Sequence, residues 1–351
     1  VTAASSDSSV PSEYDDAARF PLDSSGEERL IGRLLSRYRS APALLGPGDD
    51  AAMIAAPDGR FVISVDTLVE DQDFRVEWPS GVRTSGYDVG WKSAAQNLSD
   101  INAMGAIATA AVISLSLPRD TPLEWVEGVA LGFSAALEQL GAGRCSIAGG
   151  DVGRSGEISI TAAVTGHLSG AEPRVRSGAR PHHVIAVCGH LGAAGAGLAL
   201  LDQPAASGVS ERPWSSDEQR CVDLQLRPEP PLREGPVAVA RRASSMMDIS
   251  DGLLRDAGRI ARASGVVMAI DSSALTFDLD MLRDAGERLE TNPLNWTLTG
   301  GEGHALLATY ASLEDVPSGW HAIGEVRAGQ PQVLVDNQEP SALGFDHFSG
   351  V

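Results

Sequence analysis

Apolar and polar positions follow two rhythms along this chain, one of helices and one of strands. Leu30, Ile31, Leu34 and Leu35 recur at helical spacing and predict a short helix over Glu27–Arg39. Phe61 to Val65 (FVISV), apolar but for Ser64, predicts a buried strand ending at Asp66. Between Thr84 and Met104, the residues Trp91, Ala94, Ala95, Leu98, Ile101 and Met104 fall on one face of a helix. Thr109–Leu117 predicts a strand stopped by Pro118, and Leu123–Leu140 a helix ended by Gly141. Arg144–Ala148 and Glu157–Gly166 predict strands on either side of a Gly-Gly-Asp turn.

Gly and Pro cluster over Ser169–Ser177, and the pattern then restarts. Val184–Cys188 (VIAVC) predicts a strand, Gly192–Leu201 a helix of small residues, and Pro204–Asp217 a loop. Ser245–Ile249 predicts a strand leading to a helix over Gly252–Ala263. Val266–Ile270, Trp296–Leu298 and Ala305–Thr309 predict further strands. Residues 1–26, rich in Ser, Asp and Ala, show no period and predict a disordered tail. Helices and strands mix without strict alternation, so the expected fold is α+β (α/β mixed) in two lobes, not one doubly wound sheet. The expected division is a tail (1–26), an N-terminal domain (27–170) and a C-terminal domain (171–351).

Composition narrows the chemistry. The chain has 351 residues, 43% of them hydrophobic but only 5% aromatic, so two cores are built mainly from Ala, Val, Leu and Ile. No apolar run reaches the roughly 20 residues that span a bilayer, and Val1–Pro11 lacks a signal-peptide pattern. These observations predict a cytoplasmic protein with no membrane partner. A net charge of −20 argues against nucleic acid as a ligand. Three widely spaced cysteines, Cys145, Cys188 and Cys221, predict free thiols rather than a disulfide framework or a zinc cluster. Lys92 is the single lysine.

The placing of the carboxylates is the most informative feature. GPGDDAA (Gly46–Ala52) sets two acids after a Gly-Pro-Gly turn; SVDTL (Ser64–Leu68) sets Asp66 after an apolar strand. In NLSDINAMG (Asn97–Gly105), Asp100 follows Lys92 and Gln96 at i+8 and i+4, on the helix face opposite the apolar stripe. AGGDVG (Ala148–Gly153) and MDISDGL (Met247–Leu253) add Asp151, Asp248 and Asp251. Brought together, such acids repel one another, and hard divalent cations with oxygen ligands relieve that repulsion. The chain has no Walker A motif and no protein-kinase signature set. Phosphate handling then falls to Mg²⁺, Gly-rich backbone and Arg. Taken singly, each motif is more often a turn, a helix cap or a solvated face.

The ordered series GPGDDAA, SVDTLVE, NLSDINAMGA, AGGDVG, RSGARP, MDISDGLLRDAG, LTGGEGHALL and GFDHF resembles the thiamine-monophosphate kinases. These belong to the ATP-binding superfamily related to aminoimidazole ribonucleotide synthetase. The resemblance runs from about Glu28 to Phe348. It implies an N-terminal ATP-binding lobe whose sheet pairs with its twin in a homodimer, and a C-terminal α/β lobe that covers the site. It implies Mg²⁺ ligands at Asp50, Ser64, Asp66, Asp100, Asp151, Asp248 and Asp251, and ATP contacts at Gly150, Asp151, Arg176 and Ser250. Thiamine monophosphate would meet Glu302, Phe345 and the position of Asp73.

The implied reaction is in-line transfer of the ATP γ-phosphoryl group to thiamine monophosphate, with several Mg²⁺ ions and no covalent nucleophile. The alternatives are another ATP-dependent synthetase of the superfamily and a non-catalytic nucleotide-binding relative. Three positions depart from the family pattern. Val65 stands where Thr is usual, Asp73 where His is usual, and Gly303 where an acid follows Glu302.

Overall fold

The computed structural model describes residues 33, 36–37, 59–204, 213–342 and 344–345. The expected tail, the GPGDDAA motif with Asp50, and most of the expected loop Pro204–Asp217 lie outside the described residues. So does most of the expected helix Glu27–Arg39, of which Arg33, Ser36 and Arg37 are helical.

The first half builds a four-stranded sheet from β1 (Val62–Val69), β2 (Ile107–Leu117), β3 (Ser146–Arg154) and β4 (Ser159–His167). Its order is β1-β4-β2-β3, with β4 antiparallel to both neighbours and β2 parallel to β3. Two helices, α1 (Gly86–Ala103) and α2 (Leu123–Gln139), pack together and complete the core with Leu98, Ile101, Val126, Phe133, Ile160 and Val164. Ser85 starts α1 through a capping box with Asp88, two residues later than the apolar pattern suggested. The helices cross closely because Gly90 faces Val129: a Cβ there would lie 2.0 Å from the Val129 carbonyl oxygen.

The second half builds a six-stranded sheet of order β10-β7-β9-β5-β8-β6. Its strands are β5 (Val184–Cys188), β6 (Ser245–Ile249), β7 (Val267–Ile270), β8 (Ala305–Tyr310), β9 (His321–Arg327) and β10 (Gln332–Val335). Around it lie α3 (Ala193–Leu201), α4 (Ser216–Leu226), α5 (Glu234–Ala240), α6 (Leu253–Ser264), α7 (Leu279–Arg288) and α8 (Pro293–Thr299). The alternation of β8 shows that both faces are covered. Ala305 and Leu307 join a cluster with Leu253, Ala257 and Ile260 of α6, while Leu306, Ala308 and Tyr310 join one with Ala238 and Trp320. The fold is therefore the expected two-lobed α+β arrangement.

Three local expectations are corrected. AGGDVG is not a turn: β3 runs through it, with a bulge where Ile147 and Gly149 oppose Ala111 and Val112. Gly150 permits this close pairing, since a Cβ there would lie 1.9 Å from the Ile113 carbonyl oxygen. Asp66 lies inside β1, not at its end. Trp296–Leu298 is helical, not a strand; the Asn292 side chain caps α8 by accepting from the Leu294 N–H, and Pro293 opens its first turn.

Helix α1 also joins the lobes. The Trp91 indole donates to the Pro228 carbonyl at 2.8 Å, and the Asn102 amide donates to the Pro231 carbonyl at 3.0 Å. Gly235 N–H returns a bond to Asn102 Oδ1 at 2.9 Å. Trp91 and Asn102 thus tie this helix to the second lobe.

Candidate active site between the lobes

Alternation along β1 aims Ser64 and Asp66 at α1 and turns Ile63 and Val65 outward. The Ser64 hydroxyl donates to Asp100 Oδ2, and Asn97 Oδ1 accepts the Asp66 N–H at 3.1 Å. From the second lobe, β6 delivers Asp248 at its end, 6% exposed. Ser250 and Asp251 follow in the turn before α6. That turn is held by Asp256, whose Oδ2 accepts the N–H groups of both residues at 3.0 Å. Arg259 clasps Asp251 and Asp256 together, each at 2.5 Å.

The turn between α8 and β8 supplies Glu302 and His304, both left-handed at φ 61° and 53°. Lys92 is not a solvated lysine: its side chain is 4% exposed, and Nζ lies 2.7 Å from Glu302 Oε1 and 2.9 Å from the Asp73 carbonyl. Gln225 of α4 donates to the other Glu302 oxygen.

These segments enclose a cleft of about 490 Å³. Asp66, Asp73, Asp100, Arg176, Asp248, Ser250, Asp251, Glu302 and Phe345 all line it. Gly150 and Asp151 do not. Asp151 pairs with Ser114 at the far edge of the sheet and is exposed with the outward face. Asp66 and Asp151 lie on strands at opposite edges of the sheet. Val65 is likewise outward and 60% exposed, so its departure from the family pattern leaves this cleft untouched. The Asp73 carboxylate accepts the Val69 N–H at 2.8 Å and closes its own turn. A second crevice, about 580 Å³ and lined by Trp91, Cys188 and residues 229–234, holds none of the expected site residues.

The cleft carries an excess of negative charge. Burial, reinforced by the charges of Asp248 and Asp66, pushes the Asp100 carboxyl up to about 7 despite the Ser64 hydrogen bond. Burial likewise carries Asp256 up to about 7. For Glu302 burial acts upward, but the Lys92 charge and the hydrogen bonds from Lys92 and Gln225 outweigh it and hold the group below its ordinary value. For His304 burial acts downward, and the bond to Asp248 with the nearby carboxylates outweighs it, so the imidazole is raised. Burial pushes all three thiols up to about 12, which leaves no thiolate at neutral pH.

The donors fit Mg²⁺ in kind: Asp66, Asp100 and Asp248 offer hard oxygens whose mutual repulsion a divalent ion relieves. Among the described residues no three His, Cys, Asp or Glu form a finished cage. Mg²⁺ commonly keeps several waters and substrate phosphates, so an open set suits it.

Lys92 was noted from the sequence, but its partner was not. Asp256, His304, Gln225 and Arg259 were missed; His304 and Gln225 act through tertiary contacts, while Asp256 and Arg259 hold the neighbouring Ser250–Asp251 turn from within α6. No helix among the described residues is long and apolar enough to cross a membrane.

Residues 48–168 match the family described as AIR synthase related protein, N-terminal domain. The chain is 41% identical over 322 residues to a thiamine-monophosphate kinase of Mycobacterium tuberculosis, covering 91% of this chain and 90% of that one. It is 33% identical over 341 residues to the Escherichia coli K12 enzyme of that name, covering 92% and 98%. Among solved structures, AaThiL complexed with AMPPCP and TMP superposes with a TM-score of 0.72 at 29% identity, covering 94% of this chain and 99% of that one. The hydrogenase maturation protein HypE, at 19% identity and a TM-score of 0.67, shares the fold over 91% of this chain and 98% of its own. With identity above 40% to a relative matched over nine-tenths of both chains, and a cleft that gathers acids from both lobes, this chain belongs to the thiamine-monophosphate kinase family of the AIR synthase-related ATP-binding superfamily.

Proposed function

We propose that this chain transfers the γ-phosphoryl group of ATP directly to the phosphate of thiamine monophosphate, forming thiamine diphosphate. The observation that carries this reading is the convergence of acids from β1, α1 and β6 with Arg176, Glu302 and Phe345 in one cleft. Asp66, Asp100, Asp248 and Asp251 would hold Mg²⁺, with the Ser64 hydroxyl orienting Asp100. Bound Mg²⁺ would neutralise the charge that keeps two phosphate groups apart. Arg176 would take phosphate oxygens, and Ser250 would contact the nucleotide. Glu302, kept ionised by Lys92, would face the cationic thiazolium, and Phe345 would offer its ring. The acceptor is already an anion, so no general base is required.

A homodimer belongs to the same proposal. Ile63, Val65 and Val112 are 64%, 60% and 46% exposed on the outer face of the first sheet, an apolar surface that a second copy would cover. Gly150 and Asp151, near that face, would then serve a site completed across the interface. We also place the protein in the cytoplasm.

The test is incubation with ATP, Mg²⁺ and thiamine monophosphate, with thiamine diphosphate quantified by chromatography and aminoimidazole precursors as controls. Turnover of thiamine monophosphate alone is expected. ATP binding without turnover of any acceptor would leave a nucleotide-binding relative; turnover of an aminoimidazole precursor would make it another synthetase.

A further inference from the structure

His304 has no task in the reaction just described, yet its setting is constrained. It is 3% exposed and holds a left-handed backbone, φ 53°, that side-chain-bearing residues rarely adopt. Two backbone bonds fix the turn around it to the end of β6: Glu302 N–H to Ser250 O at 2.8 Å and His304 N–H to Ile249 O at 3.1 Å. Gly303 lies between them, where a Cβ would come within 3.1 Å of the His190 carbonyl oxygen. The result is an imidazole set beside Asp248, with Nδ1 3.2 Å from Oδ2.

Ser99 of α1 reaches the same oxygen from the other lobe, its hydroxyl 3.1 Å from Oδ2. A carboxylate that binds a cation only accepts, so in that state Nδ1 carries the hydrogen and donates. Oδ2 thus receives two donors, whereas Oδ1 receives no hydrogen bond from the described residues, and Asp248 lines the cleft. Two donors on one oxygen fix the carboxylate plane and present the other oxygen outward. Outer partners of this kind orient metal-binding carboxylates and are worth about 10- to 100-fold in metal affinity.

We propose that His304 is a positioning residue which, with Ser99, holds Oδ2 of Asp248 so that Oδ1 is presented to a divalent cation in the cleft. The inference rests on the metal-assisted reading above and adds a residue that this reading does not use. Its test is Mn²⁺ binding to the full-length protein, followed as loss of the free-ion electron paramagnetic resonance signal, for wild type, His304→Ala and His304→Asn. Asn tolerates the left-handed backbone and can place an amide N–H near the position of Nδ1.

Mn²⁺ affinity should fall about 10- to 100-fold in His304→Ala and stay within about threefold of wild type in His304→Asn. Circular dichroism checks that both are folded, and His304→Asn decides the matter if His304→Ala is not. Wild-type affinity in His304→Ala, or an equal loss in a folded His304→Asn, overturns the positioning role alone. A wild-type protein that binds no Mn²⁺ overturns the metal-assisted reading and this inference together.

Discussion

The two sheets of this molecule are finished in different ways. The six-stranded sheet is covered on both faces by its own chain: every residue of β6, β7 and β8 is buried. The four-stranded sheet is covered on one face by α1 and α2, while β1 alternates between partly covered and exposed positions along Val62–Thr67. Yet two of its three exposed positions there, Ile63 and Val65, are not polar. Ile63 and Val65 are as apolar as the residues of a buried strand, and Phe61 precedes them at 60% exposure. An ordinary half-solvated strand alternates apolar with polar. Apolar residues on the outer face call for a cover there, and nothing among the described residues supplies it.

The sharpest way to break this comparison is to place the same charge in each sheet. Leu307, fully buried in β8, has no route to water, so Leu307→Asp should abolish folding through an unpaired buried charge. Val65→Asp should leave each chain folded but dissociate the pair. Far-UV circular dichroism reports the first effect and light scattering after gel filtration the second. A wild-type protein that is monomeric, or a Val65→Asp protein that still pairs, would show that the outer face is not an interface.

Between the two sheets lies the acidic cleft, and Asp100 is the probe of what it costs. Asp100→Asn should reduce turnover by about 10³-fold or more, as removal of an ion ligand for phosphoryl transfer should. The same substitution should stabilise the metal-free protein, with a sign that follows from the carboxyl's shift from 3.8 up to about 7. A carboxyl that holds its proton more tightly when folded loses stability as pH rises between those values, and the full penalty is present above the upper one. The melting temperature of metal-free Asp100→Asn should therefore exceed that of wild type by several degrees above pH 7 and match it near pH 4. Added Mg²⁺ should narrow the gap by stabilising wild type. A variant that melts below wild type at pH 8 would mean that Asp100 is not under strain from Asp248 and Asp66.

The sequence revealed strands more readily than their surroundings. VIAVC was legible because a continuous apolar run between breakers has few alternatives, and SMMDI because its Met246, Met247 and Ile249 lead into a helix. FVISV reads as buried from its sequence, whereas Phe61, Ile63 and Val65 are exposed in the chain; the pairing we propose would cover them. Trp296–Leu298 looked like a strand because Trp and Thr favour that state; the Asn292-Pro293 cap, a local helix signal, was the better guide. Two adjacent glycines in AGGDVG suggested a turn, whereas the structure uses them for a bulge and for close approach to Ile113.

In the site, the acids were legible because they sit in short motifs. Their partners were not. The Lys92–Glu302 ion pair joins residues 210 positions apart, the Ser99–Asp248 bond spans 149, and no periodicity reports such distances. Asp256 sits in the predicted helix Gly252–Ala263 with no motif of its own, and the fold shows it holding the Ser250–Asp251 turn.

The mildest effect is expected where the cleft opens. Phe345 is 56% exposed and lines the cleft, and its N–H donates to the Asp251 carbonyl at 3.0 Å. That backbone bond ties it to the turn carrying Ser250 and Asp251, and it survives truncation of the side chain. Phe345→Ala should therefore remove a ring without moving the acids. A cation over an aromatic face is worth about 0.5 to 2 kcal/mol, depending on how dry the contact is. The Michaelis constant for thiamine monophosphate should then rise about 3- to 30-fold, while that for ATP changes less than about twofold, as a contact with one substrate only requires. Equal rises for both substrates would make the ring part of the general closure of the cleft. A change in neither would place the thiazolium elsewhere and leave Glu302, fixed by Lys92 and Gln225, as its anchor.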